Sequence, residues 1–425
     1  MAGRSYFGTD GVRGIPGADL TDSLVRRLGA AFAQWSGGCP VLVGRDTRAS
    51  GPALQTALAD GLLAGGSDVR LGGVLPTPAV ALLADACGAV VSASHNPAEY
   101  NGVKLFDRGG RKLSDAEEEE IEGLLDDLPE PGAAVTPAEE LDLGERYVEL
   151  VTKRFGIPLD GLRIACDCAN GAYSGLGSGA LERLGAAVTA LGDEPDGTNI
   201  NAGCGATDLG LLVRTVAGGE FDLGVAFDGD GDRMLAVDAA GETVDGDAIL
   251  AVLALHLCVE LVIVTSMTNL GFHRLMEERG IRVVTTDVGD RYVLEALRRE
   301  GGVLGGEQSG HVLYLDGHVA GDGLVAALLL ARAVTESGRT LADLASAMPR
   351  FPQSIENVPV RSKVLTQPIL AEVERLNASL APHGRVLVRP SGTEPVVRVL
   401  SEAESVVSAE QASATIAALV RRELG

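Results

Sequence analysis

The first third of the chain alternates short aliphatic runs with longer segments in which apolar residues recur at helical spacing. The short runs predict strands and the longer segments predict helices: strands at 41–43, 69–71 and 88–91, and helices at 20–35, 51–65 and 77–86. Strands that alternate with helices in this way are typical of a largely parallel sheet covered by helices. The pattern therefore predicts an α/β fold for this region.

The same alternation returns twice, and a different pattern follows near the C-terminus. A strand at 162–166 begins the second series, and a helix at 248–259 begins the third. In the last part of the chain the apolar segments shorten around one helix at 366–380, which indicates a smaller α+β domain. A segment rich in Pro, Ala and Glu at 128–142 is predicted to end the first domain. The predicted domains are 1–142, 143–243, 244–353 and 354–425.

Composition agrees with several aliphatic cores. The chain has 425 residues, more than one core usually organises, and 46% of them are hydrophobic while only 4% are aromatic. The formal net charge of −24 argues against a nucleic acid or an anionic membrane as partner, because both select for basic surfaces. A phosphate-bearing ligand would consequently need cations gathered locally.

Three features predict a cytoplasmic protein without membrane spans. The six cysteines lie mostly in apolar runs without paired zinc spacing, as expected of buried thiols in a reducing compartment. The N-terminus lacks the apolar core of a signal peptide. The longest apolar run, 248–264, is interrupted by His256 and Glu260, and this pattern favours a helix followed by a buried strand.

A polar loop follows the predicted strand at 88–91 and carries two serines, Ser92 and Ser94. Loops at the ends of sheet strands are favoured positions for chemistry. Taken alone, the stretch from Ser92 to Pro97 also fits an ordinary turn, and nothing in it distinguishes one serine from the other. The loop is a candidate nucleophile site that needs support from elsewhere in the chain.

Three aspartates alternate with glycines directly after another predicted strand: Asp228, Asp230 and Asp232. Carboxylates so close repel one another unless they share a cation, and oxygen ligands favour a hard divalent ion. An EF-hand is excluded because Arg233 stands where that loop needs glycine and Ala239 where it needs a bidentate glutamate. The sequence predicts a Mg²⁺ site, since a phosphate could complete the shell of the ion.

Two further loops offer groups suited to a phosphorylated sugar. Glu307, Ser309 and His311 lie on a glycine-lined loop, where they could bind hydroxyl groups and exchange a proton. Near the C-terminus the run 389–395, with Arg398 in the following strand, combines two guanidinium groups, two hydroxyls and free backbone N–H groups. This combination predicts a phosphate cradle.

Weaker patterns suggest other functions. The loop 7–14 combines three glycines with Arg13 and could bind an anion, although such turns are common. The stretch 175–180 with Asp193 matches a dinucleotide fingerprint and would indicate an oxidoreductase, but its first glycine comes well after the strand ends. The aspartate loop alone would also suit a non-catalytic Ca²⁺-binding protein. The acidic run 117–120 is predicted to be a solvated helix face.

Four sequence words, in order over nearly the whole chain, resemble the α-D-phosphohexomutase superfamily: Ser-Ala-Ser-His-Asn-Pro, Asp-Gly-Asp-Gly-Asp-Arg, Gly-Glu-Gln-Ser-Gly-His and Arg-Pro-Ser-Gly-Thr-Glu-Pro. The resemblance implies four domains around a central cleft, three of them α/β with mixed sheets and the last an α+β domain like the TATA-binding protein. It also implies one Mg²⁺ per chain and a phosphorylated amino sugar as substrate, and it allows a homodimer.

The resemblance assigns roles to the matching residues. Ser94 would carry a phosphate and join the three aspartates as a Mg²⁺ ligand, which leaves Ser92 to support the turn. Lys104 or His311 would transfer the sugar proton. Arg13 and His95 would flank the phosphoserine. The residues implied to bind the substrate are Arg233, Glu307, Ser309, Arg389, Ser391, Gly392, Thr393 and Arg398. Tyr100 departs from the aspartate that commonly precedes Asn-Gly in the superfamily.

The implied activity is the interconversion of glucosamine 6-phosphate and glucosamine 1-phosphate through a phosphoserine enzyme, a step toward UDP-N-acetylglucosamine and the cell wall. A glucosamine or glucose 1,6-bisphosphate would serve as intermediate or activator. Gln308 favours this branch of the superfamily, because the branch that acts on mannose and glucose phosphates typically has methionine there. Activity on mannose or glucose phosphates is the alternative.

Overall fold

The structure is a computed structural model that describes residues 6–8, 10–128, 138–391 and 395–425. The chain divides into two compact units, one of residues 1–267 with 281–347 and the other of 268–280 with 348–425. Among the described residues, the first unit contains three mixed α/β sheets and the second an antiparallel sheet with helices. This arrangement confirms the predicted fold class, while the predicted domain limits stay predictions.

The first sheet is built from the N-terminal part of the chain. Its strands are β1 (Phe7–Gly8), β2 (Gly11–Gly14), β3 (Val41–Arg45), β4 (Val69–Val74), β5 (Cys87–Val91), β6 (Asn101–Phe106) and β7 (Glu139–Glu140), and its helices are α1 (Asp22–Trp35), α2 (Gly51–Ala64), α3 (Thr77–Leu83) and α4 (Asp115–Asp127). The strand order is β1-β2-β6-β5-β3-β4-β7, in which β3, β4 and β5 are parallel and β6 is antiparallel to β5. The predicted linker 128–142 thus contains a short strand, and residues 129–137 of it lie outside the described part of the chain.

The second and third sheets repeat this design on a smaller scale. The second contains β8 (Arg163–Asp167), β9 (Ala187–Leu191), β10 (Leu223–Phe227), β11 (Met234–Asp238) and β12 (Thr243–Val244), with α5 (Gly144–Phe155), α6 (Leu176–Arg183) and α7 (Gly210–Gly218). The third contains β13 (Leu261–Thr265), β14 (Arg282–Thr286), β15 (Leu304–Gly306) and β16 (Val312–Tyr314), with α8 (Gly246–His256), α10 (Asp290–Glu300), α11 (Gly323–Ser337) and α12 (Leu341–Ala345). The predicted helix at 248–259 begins earlier, because the Asp245 side chain accepts the N–H of Ala248 at 3.0 Å and caps it.

In each of these three sheets a strand with a parallel neighbour is followed by an antiparallel strand. The pairs are β5 with β6, β10 with β11, and β15 with β16. The three loops that join them carry the serine, aspartate and sugar-binding motifs predicted from the sequence. A fixed strand end therefore supports each of these polar loops, and the loops are short because antiparallel neighbours need no crossover.

The second unit combines a helix from the middle of the chain with the C-terminal residues. It contains α9 (Leu270–Glu278), β17 (Gln353–Pro359), α13 (Gln367–Leu380), β18 (Gly384–Pro390), β19 (Val396–Ala403) and α14 (Val406–Leu424). The strand order is β17-β19-β18, and both pairings are antiparallel. The Asn269 amide donates to the carbonyl oxygen of Phe351 at 2.9 Å and ties the start of α9 to the C-terminal residues.

No helix in the described part of the chain is both long and apolar enough to span a bilayer. The apolar run at 248–264 is α8 followed by the buried strand β13, as the interrupted pattern predicts. The run is apolar because both α8 and β13 are largely buried in the third α/β region.

Candidate active site

The loop after β5 distinguishes its two serines. The Ser92 hydroxyl donates to Oδ2 of Asp46 at 2.5 Å and accepts the backbone N–H of Ser94 at 2.8 Å, so Ser92 shapes the turn. Ser94 has a left-handed backbone, with φ of 52°, and its side chain is buried. Its hydroxyl donates to Oδ2 of Asp228 at 2.6 Å. Of the two serines, Ser94 is the one whose oxygen faces the aspartate loop.

The aspartate loop gathers three buried carboxylates. Ligand oxygens of Asp228, Asp230 and Asp232 all lie within 4.8 Å of one another. Burial and the charges of the other two aspartates raise the pKa of Asp228 to about 8. Among the described residues, Oδ1 of Asp230 and Oδ1 of Asp232 have no hydrogen-bond partner. Crowded carboxylates with unsatisfied oxygens are the donor set that a hard divalent cation prefers, so these residues fit Mg²⁺.

The two glycines between the aspartates are required by close packing. A Cβ atom on Gly229 would lie 2.6 Å from the carbonyl oxygen of Ser94. A Cβ atom on Gly231, whose φ is +78°, would lie 2.4 Å from the ring of Tyr173. The alternation of aspartate and glycine thus lets the backbone of the loop approach both the serine loop and the core.

Lys104 is the cation in closest contact with the aspartates among the described residues. Its Nζ atom lies 2.7 Å from Oδ2 of Asp230, 3.0 Å from Oδ2 of Asp232 and 3.1 Å from Oδ2 of Asp10. Burial alone would lower the pKa of Lys104, but these carboxylates raise it well above its ordinary value. Strand β6 places Lys104 here, because the residue pairs with Val90 of β5 just before the serine loop.

His95 lies beside Ser94, and the charges of two arginines act on its ring. Burial, followed by the charges of Arg233 and Arg13, lowers the pKa of His95 to about 4, so the ring is neutral at physiological pH. Its Nδ1 atom lies 3.3 Å from the Ser94 hydroxyl. The Nε atoms of Arg13 and Arg233 are buried and lack a hydrogen-bond partner among the described residues. Cationic donors therefore lie near the serine loop, and Asp10 and Asp232 form ion pairs with the two guanidinium groups.

The loop between β15 and β16 adds a glutamate and a second histidine. Oε1 of Glu307 accepts the N–H of Gly289 at 3.0 Å, and burial raises the pKa of Glu307. His311 Nδ1 lies 3.5 Å from Oδ1 of Asp232, which brings this loop to the aspartate loop. Ser309 is exposed on the same loop. The structure therefore groups Glu307 and His311 with the serine and aspartate loops in the first unit.

Three charged residues that the sequence analysis did not select complete this cluster. Lys112 Nζ lies 2.8 Å from Oδ1 of Asp10 and 2.5 Å from Oδ2 of Asp290. Asp290 in turn lies 3.3 Å from Nε2 of His311. Burial alone would lower the pKa of His311, but Asp232 and Asp290 on its two sides raise it. The available signal for Asp290 was its position at the start of α10, shortly after β14 ends.

The acidic run on α4 is not simply a solvated face. Glu118 is buried and its Oε1 atom accepts from the Arg291 guanidinium at 2.6 Å, which joins α4 to the start of α10. Glu117 forms a capping box with Ser114 and agrees with the predicted helix start. The prediction of a solvated acidic face was wrong for Glu118, because a partner from a distant segment neutralises it.

The candidate phosphate cradle belongs to the second unit. Arg389 of β18 and Arg398 of β19 are cross-strand partners, which places both on one face of the sheet. Ser391 is buried and donates its backbone N–H to the carbonyl of Val396 at 2.9 Å. Its backbone carbonyl oxygen accepts from Nζ of Lys363 at 2.8 Å. The predicted residues Gly392 and Thr393 lie outside the described residues.

The dinucleotide hypothesis is not supported by the local geometry. Gly175 caps the start of α6, eight residues after the end of β8 at Asp167. Oδ1 of Asp193 accepts the N–H of Gly175 at 2.6 Å, so the supposed ribose ligand serves as a local backbone contact. The fingerprint requires its first glycine at the strand end.

Comparison with known proteins gives a family for the whole chain. Models of four domains, described as Phosphoglucomutase/phosphomannomutase, match in chain order: alpha/beta/alpha domain I at residues 4–131, domain II at 145–241, domain III at 245–351 and the C-terminal domain at 331–419. The chain belongs to the phosphoglucomutase/phosphomannomutase family. This membership confirms the resemblance stated from the four sequence words.

Individual members of the phosphoglucomutase/phosphomannomutase family agree over the full length. A phosphoglucosamine mutase of Pelotomaculum thermopropionicum is 47% identical, covering 94% of this chain and 95% of its own. A putative phosphomannomutase from Thermus thermophilus is 27% identical with a TM-score of 0.82, covering 98% of both chains. The Aspergillus fumigatus N-acetylphosphoglucosamine mutase in complex with GlcNAc-6P and magnesium is 19% identical with a TM-score of 0.74, covering 98% and 96% respectively, and shows the shared fold.

Proposed function

We propose that this protein interconverts glucosamine 6-phosphate and glucosamine 1-phosphate by passing a phosphoryl group through Ser94. The observation that carries the proposal is the 2.6 Å contact between the Ser94 hydroxyl and Asp228 within a cluster of three aspartates. The relative that is 47% identical over nearly the full length is named phosphoglucosamine mutase. The same identity favours this activity over the mannose or glucose phosphate alternative.

Ser94 is the proposed carrier of the phosphoryl group. The Nε donors of Arg13 and Arg233 are buried and lack a hydrogen-bond partner among the described residues, so they suit the oxygens of a phosphate on this serine. Asp10 and Asp232 form ion pairs with these two guanidinium groups. His95, neutral at physiological pH, can accept or donate one hydrogen bond beside it. These side chains stabilise the charge that phosphoryl transfer concentrates on the transferring group.

The three aspartates are the proposed holders of Mg²⁺, together with an oxygen of the phosphorylated Ser94. When bound, the ion supplies charge neutralisation for the transferring group. Lys104 contacts Asp230 and Asp232 and would orient both carboxylates toward the ion. One ion per chain is the proposed stoichiometry.

The proton of the sugar hydroxyl has two proposed carriers. Lys104 and His311 lie on two sides of Asp232, at 3.0 Å and 3.5 Å from its carboxylate oxygens. The carboxylates around Lys104 and His311 favour the protonated form of each, so either can serve as the proposed group that exchanges a proton with the sugar oxygen. Glu307 is a proposed acceptor for sugar hydroxyls, with Ser309 beside it on the loop.

The fourth motif is proposed to bind the phosphate that is not being transferred. Arg389 and Arg398 present two guanidinium groups from one face of the second-unit sheet. Together with Ser391, Gly392 and Thr393 they would contact the phosphate and not one particular face of the sugar. Such contacts suit a substrate that binds in two orientations. A 1,6-bisphosphate intermediate and a homodimer complete the proposal.

A coupled assay of glucosamine, glucose and mannose 6-phosphates tests the function, with Mg²⁺ and a 1,6-bisphosphate activator present. We expect clear preference for glucosamine 6-phosphate. Ser94→Ala should abolish turnover and remove one phosphate from the intact mass, whereas Ser92→Ala should keep a phosphorylatable Ser94 and turn over more slowly. Preference for mannose or glucose 6-phosphate would support the alternative, and full activity of Ser94→Ala would remove the serine from the mechanism.

A further inference from the structure

The serine loop is folded around one buried guanidinium group. Arg48 lies in the loop after β3 and has no exposed surface. Its Nε atom donates to Oδ2 of Asp46 at 2.8 Å. The two terminal nitrogens donate to four carbonyl oxygens of the serine loop: Ser94 at 3.0 Å, Asn96 at 2.7 Å, Tyr100 at 2.9 Å, and Pro97. All five N–H donors of the guanidinium are therefore used, four of them on this loop.

Arg48 also connects the serine loop to the second sheet. Its neighbour Thr47 donates from Oγ1 to the carbonyl of Asn170 at 2.6 Å. Its other neighbour, Ala49, donates its N–H to the carbonyl of Gly197 at 2.8 Å. The aspartate loop belongs to the same second sheet, because it follows β10. The segment 47–49 is thus fixed to the sheet that carries the aspartates and, through Arg48, to the loop that carries Ser94.

The conformation of Ser94 needs such support. A non-glycine residue with φ of 52° is in the sparsely populated left-handed region, which persists only where neighbouring contacts impose it. The carbonyl oxygen of Ser94 accepts from Arg48 and also from Nδ2 of Asn201 at 2.9 Å. With its carbonyl held by these two donors, Ser94 directs its hydroxyl at Asp228.

We propose that Arg48, assisted by Asn201, is a positioning residue that fixes the Ser94 backbone so that the hydroxyl stays on the aspartate loop through both phosphoryl transfers. The inference rests on the proposed function and adds a residue outside the predicted site. Lysine cannot replace this arginine, because its ammonium group has three donors and no planar fork. Tyr100 accepts from Arg48 through its backbone carbonyl, so a tyrosine in place of the common aspartate leaves this hydrogen bond intact.

The test compares Arg48→Lys and Arg48→Ala with Leu62→Ala, a core variant of α2 that destabilises the same sheet away from the loop. Turnover is measured per chain phosphorylated at Ser94, as counted by intact mass, and melting temperature is recorded for each variant. We expect Arg48→Lys to lower kcat by about 100-fold with KM changed less than about threefold, because misplacement of the reacting group leaves substrate contacts intact.

Guanidinium is added at concentrations well below those that unfold the protein. It should raise the kcat of Arg48→Ala about tenfold by filling the vacated position, and it should leave the kcat of Leu62→Ala unchanged. If Arg48→Ala does not fold, Asn201→Ala serves as the milder variant and should lose about tenfold in kcat with KM retained, since one hydrogen bond to the Ser94 carbonyl is removed.

Three outcomes would overturn the inference: kcat of Arg48→Lys or Asn201→Ala within about twofold of the native value, a kcat loss in Leu62→Ala equal to that of Arg48→Lys, or no effect of guanidinium on folded Arg48→Ala. The native protein is assayed alongside. If it lacks mutase activity, the proposed function fails, whereas an active native protein with an equally active Arg48→Lys refutes the inference alone.

Discussion

Two buried carboxylate clusters in the first unit, one around Asp228 and one around Asp322, differ in how their oxygens are satisfied. Asp322 accepts from the hydroxyls of Tyr147 at 2.6 Å and Tyr173 at 2.8 Å, and from the N–H groups of Leu324 and Val325 at 2.9 and 3.1 Å. His318 Nε2 lies 2.9 Å from the same carboxylate. Every oxygen of Asp322 is thus used by protein groups.

The aspartate loop has the opposite character. Two of its carboxylate oxygens have no hydrogen-bond partner among the described residues, and the three charges repel one another. Burial alone would raise the pKa of Asp322, but His318 and the two tyrosine hydroxyls lower it. In the aspartate loop the pKa of Asp228 is raised to about 8, whereas Lys104 and His311 hold the pKa of Asp232 well below its ordinary value against the effect of burial. A buried carboxylate whose oxygens all have hydrogen-bond partners stabilises the fold. A group of carboxylates with oxygens that lack such partners is suited to bind a cation.

The largest effect is expected when the unsaturated cluster loses one charge. Asp230→Asn should lower kcat by on the order of 10²–10³-fold, because one ligand of the proposed Mg²⁺ is weakened. The native protein should gain melting temperature on addition of Mg²⁺, and the variant should gain little. Thermal unfolding with and without Mg²⁺, beside the kinetic assay, measures both. A variant that retains native kcat and the native Mg²⁺ shift would show that Asp230 is not a ligand.

A substitution in the saturated cluster should act on stability instead. Asp322→Asn should lower the free energy of unfolding by about 3 kcal/mol, because charge-assisted hydrogen bonds are replaced by weaker or unmatched ones. Turnover per folded chain should change less than about threefold, since the hydrogen bonds of the Asp322 side chain in the described part of the chain all go to residues outside the proposed site. Denaturant titration and the coupled assay provide the two numbers. Loss of turnover with unchanged stability would mean that the two clusters do not differ in role.

The smallest effect is expected from pH. The pKa of Asp322 lies below its ordinary value of 3.8 in the folded protein, so its stabilising contribution is present above 3.8 and is lost as the pH falls through the folded pKa. The difference in unfolding free energy between the native protein and Asp322→Asn should therefore be constant near neutral pH and shrink below about pH 4. A difference that grows in acid would contradict this sign. Denaturant titrations at several pH values measure it.

Much of the fold followed from local patterns. The strand predicted at 88–91 is β5, Cys87–Val91, and the helix predicted at 51–65 is α2, Gly51–Ala64. Aliphatic runs and glycine or proline boundaries act over a few residues, so such elements can be located without knowing their neighbours. The grouping of α9 with the C-terminal residues, by contrast, depends on packing that no local pattern records.

The candidate site was predictable only where one short segment contained all of its chemistry. The alternation of Asp228, Asp230 and Asp232 signals shared charge within five residues, and the structure brings these carboxylates together. Arg48 was missed because its four carbonyl partners lie 46 or more positions away and carbonyls leave no mark in a sequence. The burial of Glu118 was also missed because of sequence distance, since its partner Arg291 is 173 positions away.

The sequence by itself determined the α/β architecture, the four polar loops and, through its resemblance to a known superfamily, the class of reaction. The resemblance also selected Ser94, but only the tertiary structure gives the physical reason, because Ser92 and Ser94 are chemically identical and differ only in the direction that the turn gives their hydroxyls. That direction depends on the Arg48 guanidinium, which comes from the loop after β3 and donates to the serine loop, while its neighbour Thr47 is bound to Asn170.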